Sequence, residues 1–159
     1  MSIFPTRILL ATDGSREAQL AASTAADLAN TTNSELHVLT VAPGNPDPVH
    51  HIHEGGLRYE TYQQALEAVR EDAQKVLDEQ VQRLEEAGGS VKEAHLRLGE
   101  RRDQAIVHLA EELGAGLIVM GSRGLGGVRR ALMGSVSASV VHHAHCPVMV
   151  VRPEKERAE

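Results

Sequence analysis

The chain has 159 residues, a formal net charge of −6, a single cysteine and only three aromatic residues: Phe4, Tyr59 and Tyr62. That length suits one domain over residues 1–159, able to bury about 70% of its unfolded surface without a disulfide framework or a structural metal. The acidic balance argues against non-specific binding to a phosphate backbone, and the scarcity of aromatics against a base-stacking platform. Lone Cys146 fits a reducing compartment. No apolar run approaches the roughly 20 residues needed to span a bilayer, and the opening MSIFPTRILLATDGS lacks the features of a signal peptide. The expectation is a cytoplasmic protein with no nucleic-acid or membrane partner.

Residues 7–11 (RILLA) form a short apolar run between turn residues and read as a buried strand. Thr12, Asp13, Gly14 and Ser15 make a turn able to cap a helix, whose Ala18, Ala21, Ala22, Ala25 and Ala29 recur at helical spacing. Residues 36–41 (LHVLTV) are a second strand, and the Pro-, Gly- and His-rich residues 42–56 a loop. A long helix is expected over 57–87, with Leu66, Val69, Ala73, Val76, Leu77 and Leu84 on one stripe, stopped by Gly88 and Gly89. Residues 91–98 partly alternate, as a strand with one exposed face does. Asp103 is expected to cap a helix carrying Ile106, Leu109, Ala110 and Leu113. The apolar strand 116–120 (GLIVM), a helix over 135–144 and a last strand at 148–151 (VMVV) follow, and 153–159 reads as a frayed charged tail.

Strands alternating with helices predict an α/β fold, a parallel sheet with helices on both faces and right-handed crossovers. Ligands bind such sheets beyond the carboxyl ends of the strands. Two segments lie there: the Thr12–Ser15 turn and the stretch 121–135 (GSRGLGGVRRALMGS). Glycines in the second allow positive φ and close approach of backbone to a ligand, so several N–H groups can meet one anion. The helix starting near Ser135 adds free N–H groups and the positive end of its dipole. Ser135 and Ser137 supply hydroxyls, and Arg123, Arg129 and Arg130 supply positive charge. No G-x-x-x-x-G-K-[ST] loop occurs, and the first strand leads into no G-x-G-x-x-G turn.

What does occur is G-x2-G-x9-G-S, formed by Gly121, Gly124, Gly134 and Ser135. With ILLATDGS at 8–15, AIVHLAEELGAGLIVMGSRG at 105–124 and CPVMVVR at 146–152, the chain resembles the ATP-binding branch of the universal stress protein family over nearly its whole length. The resemblance implies a Rossmann-like five-stranded parallel sheet of order 3-2-1-4-5. It implies that Ala11, Thr12, Val41 and Met120 line an adenine, and that Asp13 holds ribose hydroxyls or a phosphate-bound Mg or Mn. It further implies that Gly121, Arg123, Gly124, Gly134, Ser135, Val136 and Ser137 hold ribose and phosphates. Arg101-Arg102 departs from the family, which more often has a small residue or proline there.

The resemblance implies an ATP-binding stress-response module that forms a homodimer through residues 148–152, from Val148 to Arg152, the apolar sheet edge. A slow Mg-dependent ATPase, or a binder of AMP or a cyclic nucleotide at the same site, stays open as an alternative. Two histidine clusters pose a metal question: His50, His51 and His53 in the loop, and His142, His143 and His145 before Cys146. His142 and His145 would share a helical face, with the Cys146 thiolate completing a zinc set. The helix dipole alone also favours histidines at a C-terminus.

Overall fold

A computed structural model describes residues 1–44, 59–122 and 133–153, with side chains described from Tyr62 onward in the second of these segments. Among the described residues, five strands alternate with four helices: β1 (Arg7–Ala11), α1 (Arg16–Thr32), β2 (Glu35–Ala42), α2 (Tyr59–Glu86), β3 (Val91–Leu98), α3 (Arg102–Leu113), β4 (Leu117–Gly121), α4 (Ser135–His143) and β5 (Val148–Val151). All neighbours pair in parallel, in the order β3-β2-β1-β4-β5. This is the Rossmann-like α/β sheet that the sequence predicts.

Strand alternation sorts the core into two layers. Ile8, Leu10, Leu36, Val38, Leu117 and Val119 face α1 and α2, while Leu9, Leu39, Ile118 and Met120 face α3 and α4. Helix α1 buries Ala18, Ala21, Ala22, Ala25, Ala26 and Ala29. Because alanine projects only a methyl group, the helix backbone can lie close to β1 and β4. The closest approach is at Gly121, where an added Cβ would stand 2.9 Å from both the backbone carbon and the Cβ of Glu17. No side chain fits there without moving α1.

Helix ends explain most of the boundaries. Ser15 caps α1, its hydroxyl accepting from Ala18 N at 3.2 Å. Helix α2 closes with Gly89 N donating to Leu84 O at 2.8 Å. Helix α3 departs from the expectation. Its N-cap is Arg101, whose carbonyl accepts from Ala105 N at 2.9 Å, so Asp103 sits inside the first turn and is no cap. The Asp103 carboxylate instead accepts from the Ser139 hydroxyl of α4 at 2.7 Å and from Arg101 at 2.9 Å. The Ser139 hydrogen bond, foremost, holds its carboxyl below the usual carboxylate range. Asp103 thus ties α3 to α4.

Among the described residues no helix is long and apolar enough to cross a membrane. The expected loop around His50, His51 and His53 and the tail beyond Pro153 lie outside the described residues, as does the start of the long helix expected at 57.

Candidate functional site

The carboxyl ends of β1 and β4 lie side by side at the centre of the sheet, Ala11 pairing with Met120. The side chains of Ala11, Val41 and Val136 pack against the cluster holding Met120, on the α3 and α4 face. An apolar wall therefore stands where the sheet ends. Of the residues expected to line an adenine, Thr12 is buried and its backbone is engaged. Its N–H donates to Leu39 O at 2.9 Å and its carbonyl accepts from the Thr40 hydroxyl at 3.3 Å.

After Thr12 the chain turns sharply into α1. Gly14 takes φ +80°, a left-handed conformation that side chains other than glycine's rarely adopt. Asp13 Oδ1 accepts from Ser15 N at 2.9 Å, so the carboxylate braces the turn that presents it. Asp13 is half-buried beside the start of α1; the capping hydroxyl belongs to Ser15.

The other side of the rim is organised by a residue that the sequence reading passes over. Ser122 is 2% exposed and joins three elements. Its N–H donates to Val151 O of β5 at 2.9 Å, and its carbonyl accepts from Gly134 N at 2.6 Å. The same carbonyl accepts from the Ser137 hydroxyl at 2.9 Å, and Ser137 also reaches Gly134 O at 3.0 Å. The chain therefore leaves β4 and returns to it at the start of α4. Within the pattern G-S-R-G the serine looks like filler; its value comes from contacts 12 and 15 residues away.

These bonds redistribute the expected roles. The Ser137 hydroxyl has one proton, already committed to backbone carbonyls, so it anchors the start of α4. Ser135 is exposed in the first turn, where helix N–H groups have no partner within the helix. Gly134, the N-cap of α4, has φ −72° and ψ 165°, an extended conformation open to any residue. Positive φ is therefore not what this position requires, which corrects one of the two reasons for glycine there. Gly121 is needed for its packing on Glu17. Arg123, Gly124, Arg129 and Arg130 lie outside the described residues.

The zinc set that His142, His145 and Cys146 could have formed does not assemble. Helix α4 ends at His143, and Ala144 turns extended with ψ 143°, so His142 and His145 share no helical face. His145 Nε2 lies 3.0 Å from Glu111 of α3, while His143 Nδ1 faces Ser139. Burial pushes the Cys146 thiol up, as suits an inert cysteine leading into an apolar strand. The converging metal-type donors among the described residues are His37, Glu93 and His95, 58 residues apart in sequence at the widest.

The model of the universal stress protein family matches residues 5–152. The chain belongs to that family. A putative universal stress protein of Staphylococcus haemolyticus is 32% identical over 148 residues, which cover 93% of this chain and 85% of that one. Among solved structures, the universal stress protein UspA from Lactobacillus plantarum is 25% identical with a TM-score of 0.76, covering 95% of this chain and all of that one (100%). The universal stress protein from Archaeoglobus fulgidus, solved in complex with dAMP, has a TM-score of 0.64 at 24% identity, covering 94% and 98% of the two chains. That last likeness bears on the fold.

Proposed function

We propose that this universal stress protein binds an adenine nucleotide, ATP with Mg or Mn foremost, at the carboxyl rim of β1 and β4, and acts as a nucleotide-dependent stress-response module. The observation that carries the reading is the junction of two different surfaces at that rim. An apolar wall of Ala11, Val41 and Met120 suits a base. Beside it, the N-terminus of α4 is pinned to Ser122 and offers N–H groups and a dipole suited to phosphate. Asp13, at the end of β1, has the chemistry to accept ribose hydroxyls or to touch a phosphate-bound cation. Gly121, Arg123, Gly124, Gly134, Ser135 and Val136 would complete the phosphate side, with Ser137 as the anchor beneath it.

The complex of the Archaeoglobus fulgidus relative with dAMP supports adenine recognition and favours a second reading, in which a nucleoside monophosphate is the ligand. Calorimetric titration with ATP-Mg, AMP and a cyclic nucleotide separates the two. Preference for ATP, weakened when Mg is removed, supports the first reading, and preference for AMP the second. No binding of any of them below millimolar concentration would overturn both. The protein is further proposed to work in the cytoplasm, in keeping with its single cysteine.

A homodimer through residues 148–152 belongs to the same proposal. Strand β5 stands at the sheet edge with Met149 36% exposed, and an apolar strand edge is a template for pairing. Two such edges meeting about a two-fold axis would satisfy each other.

A further inference from the structure

On the outer strands, β2 and β3, a second cluster of chemically capable side chains is assembled by the strand register. Both strands carry Glu-x-His: Glu35-Leu36-His37 and Glu93-Ala94-His95. Leu36 pairs with Val91, yet His37 pairs with Glu93, so the ladder skips Lys92. A regular ladder would set Lys92 opposite His37. Residues opposite one another share a face of the sheet and successive residues alternate. The irregularity therefore turns Glu93 and His95 onto the face of His37 and turns Lys92 off it. Such bulges are a recurrent way to re-aim a side chain.

The resulting distances are those of a metal clamp. His37 Nδ1 and His95 Nε2 are 3.2 Å apart, and His95 Nε2 lies 3.8 Å from Glu93 Oε2. One donor atom from each of the three lies within 4.8 Å of the others. Two nitrogens bound tetrahedrally to zinc at about 2.05 Å are separated by about 3.3 Å, so the two imidazoles already stand at the required bite. The opposite nitrogen of His37, Nε2, lies 3.4 Å from Glu35 Oε2, and Arg7 Nε donates to that carboxylate at 3.2 Å. A carboxylate on the far nitrogen fixes the proton at Nε2 and turns the Nδ1 lone pair toward the site. A simple hydrogen bond between two histidines would account for the 3.2 Å contact; it requires neither the third donor nor the outer carboxylate.

Exposure grades in the same sense. The side chains of His37 and His95 are 5% and 14% exposed, and that of Glu93 is 62% exposed. Two imidazoles form a sheltered floor and the carboxylate stands at an open mouth, where water can supply a fourth ligand. We propose that His37 Nδ1, His95 Nε2 and the Glu93 carboxylate bind a divalent transition metal. Two imidazoles and one carboxylate suit zinc best, with Glu35 as the outer group that orients His37. The site stands apart from the nucleotide rim and does not depend on it.

The test is a zinc titration of the full chain followed on the imidazole nitrogens by 15N NMR, which reads the nine histidines separately. The first equivalent is expected to move His37 and His95 together, His37 Nδ1 taking on metal-bound character while Nε2 keeps its proton. His95→Gln retains an amide able to bond His37, and should weaken zinc binding by about 100-fold or more. Glu35→Gln should weaken it by about 10–100-fold, as losing an outer partner does. Should His95→Gln fail to fold, Glu93→Gln at an exposed position carries the same test, with circular dichroism as the fold control. A first equivalent that perturbs only other histidines, or unchanged affinity in Glu93→Gln and in a folded His95→Gln, would overturn the proposal.

Discussion

Gly121→Ala separates two reasons for having glycine at the end of β4. Were the residue needed only to admit a ligand, alanine would leave the ligand-free fold untouched. In the structure the new methyl would stand 2.9 Å from the carbon and Cβ of Glu17 and 3.1 Å from its carbonyl oxygen. Two of these three atoms are backbone in the first turn of α1, so no rotamer change relieves the contact and the helix start must move. Forcing one extra carbon into a packed site costs about 1–3 kcal/mol. For a protein of this size that corresponds to a fall in Tm of about 2–12 °C. The assay is urea denaturation of the nucleotide-free protein, checked by calorimetry, with an unchanged m-value as evidence that the unfolded state is not involved. Because Ser15 and Asp13 lead into the displaced turn, nucleotide affinity should fall as well. A variant within about 0.5 kcal/mol of wild type, the usual range of neutral surface changes, would refute the packing argument.

Other perturbations have distinct signatures. Ser137→Ala removes a buried hydroxyl that serves two carbonyls and should cost about 1–2 kcal/mol in urea denaturation, whereas exposed Ser135→Ala should leave stability unchanged and lower nucleotide affinity. Asp13→Ala should weaken ATP binding by about 1–3 kcal/mol in calorimetric titration, the scale of charge-assisted hydrogen bonds, and reduce its dependence on Mg. Since the folded-state pKa of Asp103 is depressed, its contribution to stability is present above the ordinary aspartate range and is lost as pH falls through the folded value. Denaturation midpoints taken downward from pH 5 should therefore fall less steeply in Asp103→Asn than in wild type; equal slopes would remove Asp103 from the account. Pro147 and Val151 turn their carbonyls to β4, so the alternate residue Val150 faces the open edge; Val150→Pro removes that edge donor and should convert a dimer into monomers by light scattering.

The strands of the sheet centre were legible because they are buried on both faces, so apolar runs such as ILL in β1 and IVM in β4 stand out against polar turns. Helix α1 was legible through its alanine stripe, and the mixed exposure of β3 through its partial alternation. Asp103 misled because an aspartate beside an apolar helix pattern resembles a cap; what decides the start is the Arg101 carbonyl, which carries no side-chain signal. The rim residues on β1 and β4 follow from where the strands end, but the roles within α4 do not. Ser137 and Ser135 differ by two positions in sequence and by burial in the fold, and only the Ser122 carbonyl tells them apart. His37 and His95 were invisible for the same reason. Their meeting depends on a ladder skipping one residue, and no spacing within either strand reveals it.

The central claim is that an adenine nucleotide sits across the rim between the ends of β1 and β4 and the start of α4. Backbone amide NMR during a titration with ATP-Mg addresses it directly, because each element reports separately. The account predicts saturable shifts at Ala11, Asp13, Met120 and Ser135 moving together with one affinity. Absence of shifts at millimolar ATP, or shifts confined to residues away from that rim, would contradict it.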